Sequence, residues 1–117
     1  MEVKTDLDVE KLIKKEKNRL NRIYKNLPEQ RKNLVQGLIT EAARLKISLD
    51  ILWEDIQKNG DVELFSQSKD AEPYERERPA ARLYNTRNKQ YQQIIKQLDD
   101  LIILEKKKNK LDLLRGD

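Results

Sequence analysis

Basic side chains spaced along residues 11–26 are the part of this sequence best suited to a chemical task. Seven residues of this segment are Lys or Arg, and Glu16 is its only acid. On a helical wheel of about 100° per residue, most of these cations fall in a narrow arc opposite an apolar arc of roughly 120°. A row of cations can track DNA phosphates and bind them in a salt-sensitive, weakly sequence-specific way. The candidate DNA-binding residues are Lys11, Lys14, Lys15, Arg19, Arg22 and Lys25.

Two further groups of basic residues could also bind phosphate. For these two groups and for the cations of residues 11–26, a simpler alternative is a solvated surface. The segment "KKKNK" at residues 106–110 is one group, and the heptad-spaced set of Arg82, Lys89 and Lys96 is the other. Charged helix faces and terminal Lys runs commonly serve only to keep a protein solvated. The sequence therefore leaves open whether any of these cations binds phosphate.

Catalytic chemistry has little support in the composition. The chain contains no His and no Cys, which removes the commonest general base, the commonest metal ligand and any thiolate nucleophile. The clustered acids of "DAEPYERE", residues 70–77, could in principle hold Mg²⁺, but no phosphate-binding GxxxxGK[ST] loop accompanies them. These features predict a non-enzymatic, soluble, intracellular protein without a cofactor and without a membrane-spanning segment.

The elements that position these side chains are predicted to be helices. Asp6 or Asp8 caps a first helix at about 8–27, which ends before Pro28. A second helix runs from Pro28–Glu29 to about Asn59, before Gly60. The stretch "NGDVELFSQS" at 59–68 is predicted to be non-helical, and Val62 and Leu64, with Phe65, form either a short extended piece or an apolar loop. A third helix occupies about 79–104. The tail either extends this helix or is disordered.

The predicted fold class is all-α: a long antiparallel helical hairpin plus an N-terminal helix, assembled as an oligomer. Residues 1–27 are the N-terminal basic amphipathic helix, residues 28–104 the hairpin that forms the oligomerisation core, and residues 105–117 the basic C-terminal tail. Only 37% of residues are hydrophobic and 39% are charged, so narrow apolar stripes on long helices are expected to need a partner chain.

Several side chains are assigned from their wheel positions. Trp53 falls on the main apolar stripe of the second helix and is predicted to lie in the core, and Gly37 is explained by close helix packing. Ile47 and Ile51 lie on the far side, where they contact another subunit or pack under the first helix. Arg87 pairs with Glu54 or Asp55 across an interface, or extends to water. The candidate oligomer-interface residues are Ile47, Ile51, Tyr84, Arg87 and Tyr91.

The stretch "EDIQKNGDVELFSQ" followed by "PYERERPAARLYNTRNKQYQQIIKQL" resembles the small terminase subunits of tailed bacteriophages and prophages. The shared pattern is a helix ending near Gly60, a short turn, an Arg78–Pro79 start to the next helix, and Asn85 and Tyr91 ahead of its Ile/Leu-rich end. The resemblance covers roughly residues 30–104. Many small terminases also carry an N-terminal helix-turn-helix, for which the residues before Pro28 leave little room.

The resemblance implies a non-enzymatic component of viral genome packaging in the host bacterial cytoplasm. Its partners would be double-stranded viral DNA, the large terminase subunit, and copies of itself, arranged in a ring. The large subunit would supply the ATPase and nuclease. A rival hypothesis with the same fold is a coiled-coil-like adaptor that binds only protein.

Overall fold

The computed structural model describes residues 5–27 and 29–115. The chain is mostly helical, which confirms the all-α prediction, but it also contains a small two-stranded sheet. The predictions made for residues 1–4, for Pro28 and for residues 116–117 lie outside the described part. The elements are α1 (Asp6–Ile23), a 3₁₀ turn (Glu29–Arg31), α2 (Lys32–Asn59), β1 (Val62–Phe65), β2 (Tyr74–Glu77) and α3 (Pro79–Arg115).

Helix α1 differs from its predicted bounds at both ends. Thr5 caps it, with its Oγ1 accepting a hydrogen bond from the Asp8 N–H at 3.2 Å, so the prediction of Asp6 or Asp8 as the cap is wrong. The two acids instead lie in the first turn, where they stabilise the positive end of the helix dipole. The helix ends at Ile23, and the Tyr24 N–H closes the last turn on the Leu20 carbonyl oxygen at 2.9 Å.

Helices α2 and α3 form the predicted antiparallel hairpin. Three contacts show the direction, because the residue number falls along α2 as it rises along α3: Asp55 meets Arg78, Trp53 meets Tyr84, and Ser48 meets Arg87. The last turns of α1 pack against the first turns of α2, where the Gln36 side chain donates a hydrogen bond to the Asn21 side chain at 2.7 Å. Each helix thus runs antiparallel to the next.

One buried cluster holds the three helices together. It lies where the end of α1, the first half of α2 and the middle of α3 meet. Leu20, Ile39 and Leu98 are its largest fully buried side chains, one from each helix. Ala42 and Ala43 are also fully buried, and small residues allow close approach of neighbouring helices. The members are Leu20, Tyr24, Val35, Ile39, Ala42, Ala43 and Leu98.

Between α2 and α3 the chain forms a β-ribbon, which we define as residues 61–77. Strands β1 and β2 pair antiparallel with Val62 opposite Glu77 and Phe65 opposite Tyr74. Of the two alternatives for the residues from Val62, the extended piece is the one observed, as β1, but its partner strand was not predicted. Arg76 links the strands, since its guanidinium lies 3.6 Å from the Phe65 ring centroid and its Nε donates to Glu63 at 2.8 Å.

Arg78 fastens the end of α2 to the start of α3. Its Nη2 donates to both Asp55 carboxylate oxygens, at 2.9 and 3.1 Å, and its Nη1 donates to the Gly60 carbonyl oxygen. Its backbone N–H donates to the Asp61 carbonyl oxygen at 2.8 Å. The hydrogen bond from Asn59 and then the Arg78 guanidinium lower the pKa of Asp55. Gly60 has φ of +79°, so a left-handed conformation ends α2 and suits Gly best.

Two side-chain assignments on α2 are wrong. Trp53 is 48% exposed rather than buried in the core, and its ring lies 5.6 Å from that of Tyr84. Gly37 is not required by close packing, because a Cβ placed there would meet no atom within 4 Å. The prediction for Trp53 assumed that the apolar stripe of α2 is covered along its whole length. Helix α1 has only 18 residues against 28 in α2, so it cannot cover all of that stripe.

The C-terminal tail extends α3 to Arg115, which settles the alternative left open by its composition. We call residues 106–115 the C-terminal overhang, since all ten are exposed. The molecule is a rod of 81 × 28 × 20 Å. No helix in the described ranges has a stretch that is both long and apolar enough to cross a bilayer.

Candidate nucleic-acid interface

Helix α1 has one buried side and one charged side, as its sequence pattern predicts. Leu20 and Tyr24 are buried against α2 and α3, and Leu12 and Ile13 are half-buried. Ile23, the last residue of the helix, is exposed although it is apolar. This packing fixes the rotation of α1 about its axis, so the opposite side faces solvent.

Four of the six candidate DNA-binding residues lie on that solvent-facing side: Lys11, Lys14, Lys15 and Arg22. All four are exposed, and none makes an ion pair with another described residue. At a rise of about 1.5 Å per residue, Lys11 and Arg22 lie about 17 Å apart along the axis, roughly five base-pair steps of B-DNA. We call these four residues the α1 cation face.

Lys25 and Arg19 are placed differently. Lys25 is exposed but follows the end of α1, in the turn that leads to α2. Arg19 is tied to Glu16: Nε donates to Oε1, and Nη2 donates to Oε2 at 3.1 Å. Glu16 is only 8% exposed, so it needs this partner, and the hydrogen bond to it raises the pKa of Arg19. Arg19 is therefore largely neutralised, which its position on the helical wheel does not reveal.

The other basic groups are scattered. Arg82 faces Glu77 at 3.5 Å, whereas Lys89 and Lys96 are exposed farther along α3. The "KKKNK" cations lie on the overhang, at the end of the rod where the α1–α2 turn also lies. Acidic side chains of the described ranges form no cluster of three or more that could hold a metal ion.

The candidate oligomer-interface residues are all engaged within one chain to some degree. Ile47 is only 8% exposed, so the intrachain alternative accounts for its burial. Ile51, Tyr84 and Tyr91 are half-buried. Within one chain, Arg87 donates to the Ser48 hydroxyl, and Asp55 binds Arg78. The pairing of Arg87 with Glu54 or Asp55 across an interface stays a prediction.

Tyr24 makes a contact that sequence reasoning did not find. Its hydroxyl donates to Asp99 Oδ1 at 2.9 Å, across 75 residues of chain. Burial, followed by the hydrogen bond to this carboxylate, raises the pKa of Tyr24 to about 12. The bond joins the turn after α1 to α3 and so helps to hold the α1 cation face in place.

Stability is expected to fall between about pH 10 and pH 12 because of Tyr24. Its pKa is 10.0 when unperturbed and about 12 in the fold, so its stabilising effect is complete below pH 10 and is lost as pH rises through 12. Tyr24→Phe should flatten this part of the pH profile of the urea midpoint. Tyr74→Phe, at an exposed tyrosine of the β-ribbon, is the control and should leave the profile unchanged. Equal profiles for parent and Tyr24→Phe would contradict this assignment.

Comparison of the chain with protein-family models, with curated protein sequences and with solved structures found no match.

Proposed function

We propose that this chain is a phage small terminase subunit: a non-enzymatic DNA-recognition and regulatory component of a genome-packaging motor. The resemblance of residues 30–104 supplies the biological setting. The observation that carries the DNA-binding part is the α1 cation face, which is exposed and lacks acidic partners among the described residues. By contrast, cations on α2 such as Arg44 and Lys46 are paired with acids of the same helix.

The proposed mechanism is positioning by many weak phosphate contacts. One cation face offers only a few contacts, which is too few for tight binding at physiological salt. Copies of the chain in a ring would repeat the face, and linked sites bind far more tightly than one site alone. The double-stranded viral DNA would be held in this way while other surfaces contact the large terminase subunit.

A protein-only adaptor is the second candidate. It is favoured by the exposed apolar side chains at both ends of the rod, such as Trp53 and Leu113, which suit protein contacts and have no role in binding phosphate. The two candidates differ in whether the α1 cations bind DNA.

Affinity for duplex DNA is expected to fall steeply with salt. If Lys25 and the four residues of the α1 cation face each neutralise a phosphate, log K should fall against log salt with a slope of about −4.5 per bound chain. Size exclusion with light scattering, run with and without DNA across a salt series, measures this slope and the mass together. Absence of binding at about 50 mM salt would contradict the terminase proposal and favour the adaptor.

A further inference from the structure

The C-terminal overhang carries an apolar face that its own chain does not cover. Leu114 is 75% exposed, and Leu111 and the neighbouring Leu104 are exposed as well. By helix geometry, Leu104, Leu111 and Leu114 fall within about 80° of one another, on the side away from the stripe that packs against α2. The overhang itself, residues 106–115, contains five cations and one acid.

A groove at the other end of the rod has the complementary character. It lies between the ends of α2 and α3 and the β-ribbon, and it is lined by Trp53, Ile56, Val62 and Tyr84, with Asp61 and Glu77 on its edge. Trp53 and Val62 are half exposed there. Aromatic side chains presented in this way are typical anchors of protein interfaces.

The charges at the two ends are opposite and largely unpartnered. The β-ribbon has six acidic and two basic residues. Arg76 is already bound to Glu63, whereas Asp61, Asp70, Glu72 and Glu75 make no ion pair with a described residue. The overhang's cations likewise have no ion pair with a described residue. Opposed fields of this kind steer association and select the partner.

One chain cannot bring these surfaces together. Tyr84 and Leu114 lie on the same continuous helix, 30 residues apart, which is about 45 Å along its axis. We therefore propose that the overhang of one copy docks in the groove beside Trp53 and Tyr84 of the next copy. The leucines of the overhang would pack on the aromatic rings, and its lysines would pair with the carboxylates of the β-ribbon. The proposal rests on the self-assembly proposed above and specifies its contact as head-to-tail. Such a contact joins two different surfaces, so it builds rings or filaments.

Cross-linking tests the contact directly, since the chain has no cysteine of its own. Asn85→Cys lies on the groove wall and Leu114→Cys on the overhang, and both sites are exposed. With a short bismaleimide, a mixture of the two variants should give a dimer band that neither variant gives alone. Asn18→Cys, on the exposed side of α1, replaces Asn85→Cys in the control mixture and should give none.

Other outcomes overturn the proposal. A dimer band from Leu114→Cys alone would mean that two overhangs pair with each other, and no band at all would mean that the overhang binds something else, such as DNA. In addition, Leu111→Glu with Leu114→Glu should reduce the light-scattering mass to one chain while the circular dichroism spectrum stays helical. An unchanged mass counts against the contact.

The test separates this contact from the proposed function. A DNA gel shift without the mixed cross-link overturns the head-to-tail contact and leaves DNA recognition standing. The mixed cross-link without a gel shift does the reverse.

Discussion

Changing Lys11, Lys14, Lys15 and Arg22 to Glu is expected to weaken duplex DNA binding by roughly 10³-fold at 0.15 M salt. Each phosphate contact contributes a counterion-release term of about 0.9 in the slope of log K against log salt, so four contacts correspond to about three decades at this salt concentration. The slope itself should become shallower by about 3.6. Gel shift or fluorescence anisotropy across a salt series measures both quantities.

The matched control replaces four other cations with Glu, so its net charge changes by the same amount as in the α1 variant. Lys58, Lys69, Lys89 and Lys96 are exposed cations on other parts of the rod, and their replacement by Glu should weaken binding much less. Circular dichroism should show that the α1 variant remains helical, because the α1 cation face does not contribute to the buried cluster. Light scattering should show that the proposed oligomer survives in both variants. Equal losses in the two variants would mean that overall charge, and not the α1 cation face, governs binding.

Leu98→Ala is expected to lower the free energy of unfolding by about 3–4 kcal/mol. Leu98 is fully buried in the cluster where the three helices meet, and removing its side chain leaves a cavity there. A loss of this size is a large part of the total stability of a small domain. Urea unfolding followed by far-UV circular dichroism measures it.

Leu83→Ala is the matched control on the same helix. Leu83 is exposed, so the same truncation should cost less than about 1 kcal/mol. Similar losses at the two positions would show that Leu98 is not at the centre of the packing.

Helix positions were predictable because periodic apolar residues and breakers mark them clearly. The antiparallel hairpin, the stop at Gly60 and the start at Pro79 all follow from such local signals. Strand β2 did not follow, because "YERE" is exposed at every position and lacks the apolar alternation of a half-buried strand. What stabilises it is a long-range side-chain contact, Arg76 with Phe65 and Glu63, which no local pattern reveals.

In the candidate site, too, local patterns predicted some features, whereas others depend on long-range contacts. Exposure of Lys11, Lys14, Lys15 and Arg22 follows from the amphipathic wheel of α1, and the structure confirms it. The neutralisation of Arg19 by Glu16 depends on Glu16 being buried under α2 and α3, and the Tyr24–Asp99 bond depends on where α3 lies. Trp53 was misplaced because the wheel does not show that α1 covers only part of α2.

Helix α3 runs without interruption from the β-ribbon through the buried cluster to the tip of the overhang. In a head-to-tail chain of copies, α3 would fix the distance between neighbouring contacts. Its first turns form one wall of the groove, and its last turns form the overhang that docks in the groove of the next copy. The repeat along such a chain would then be set by the axial distance from Tyr84 to Leu114, about 45 Å. Inserting or deleting helical turns in this stretch would change the spacing of the assembly in steps of about 5.4 Å.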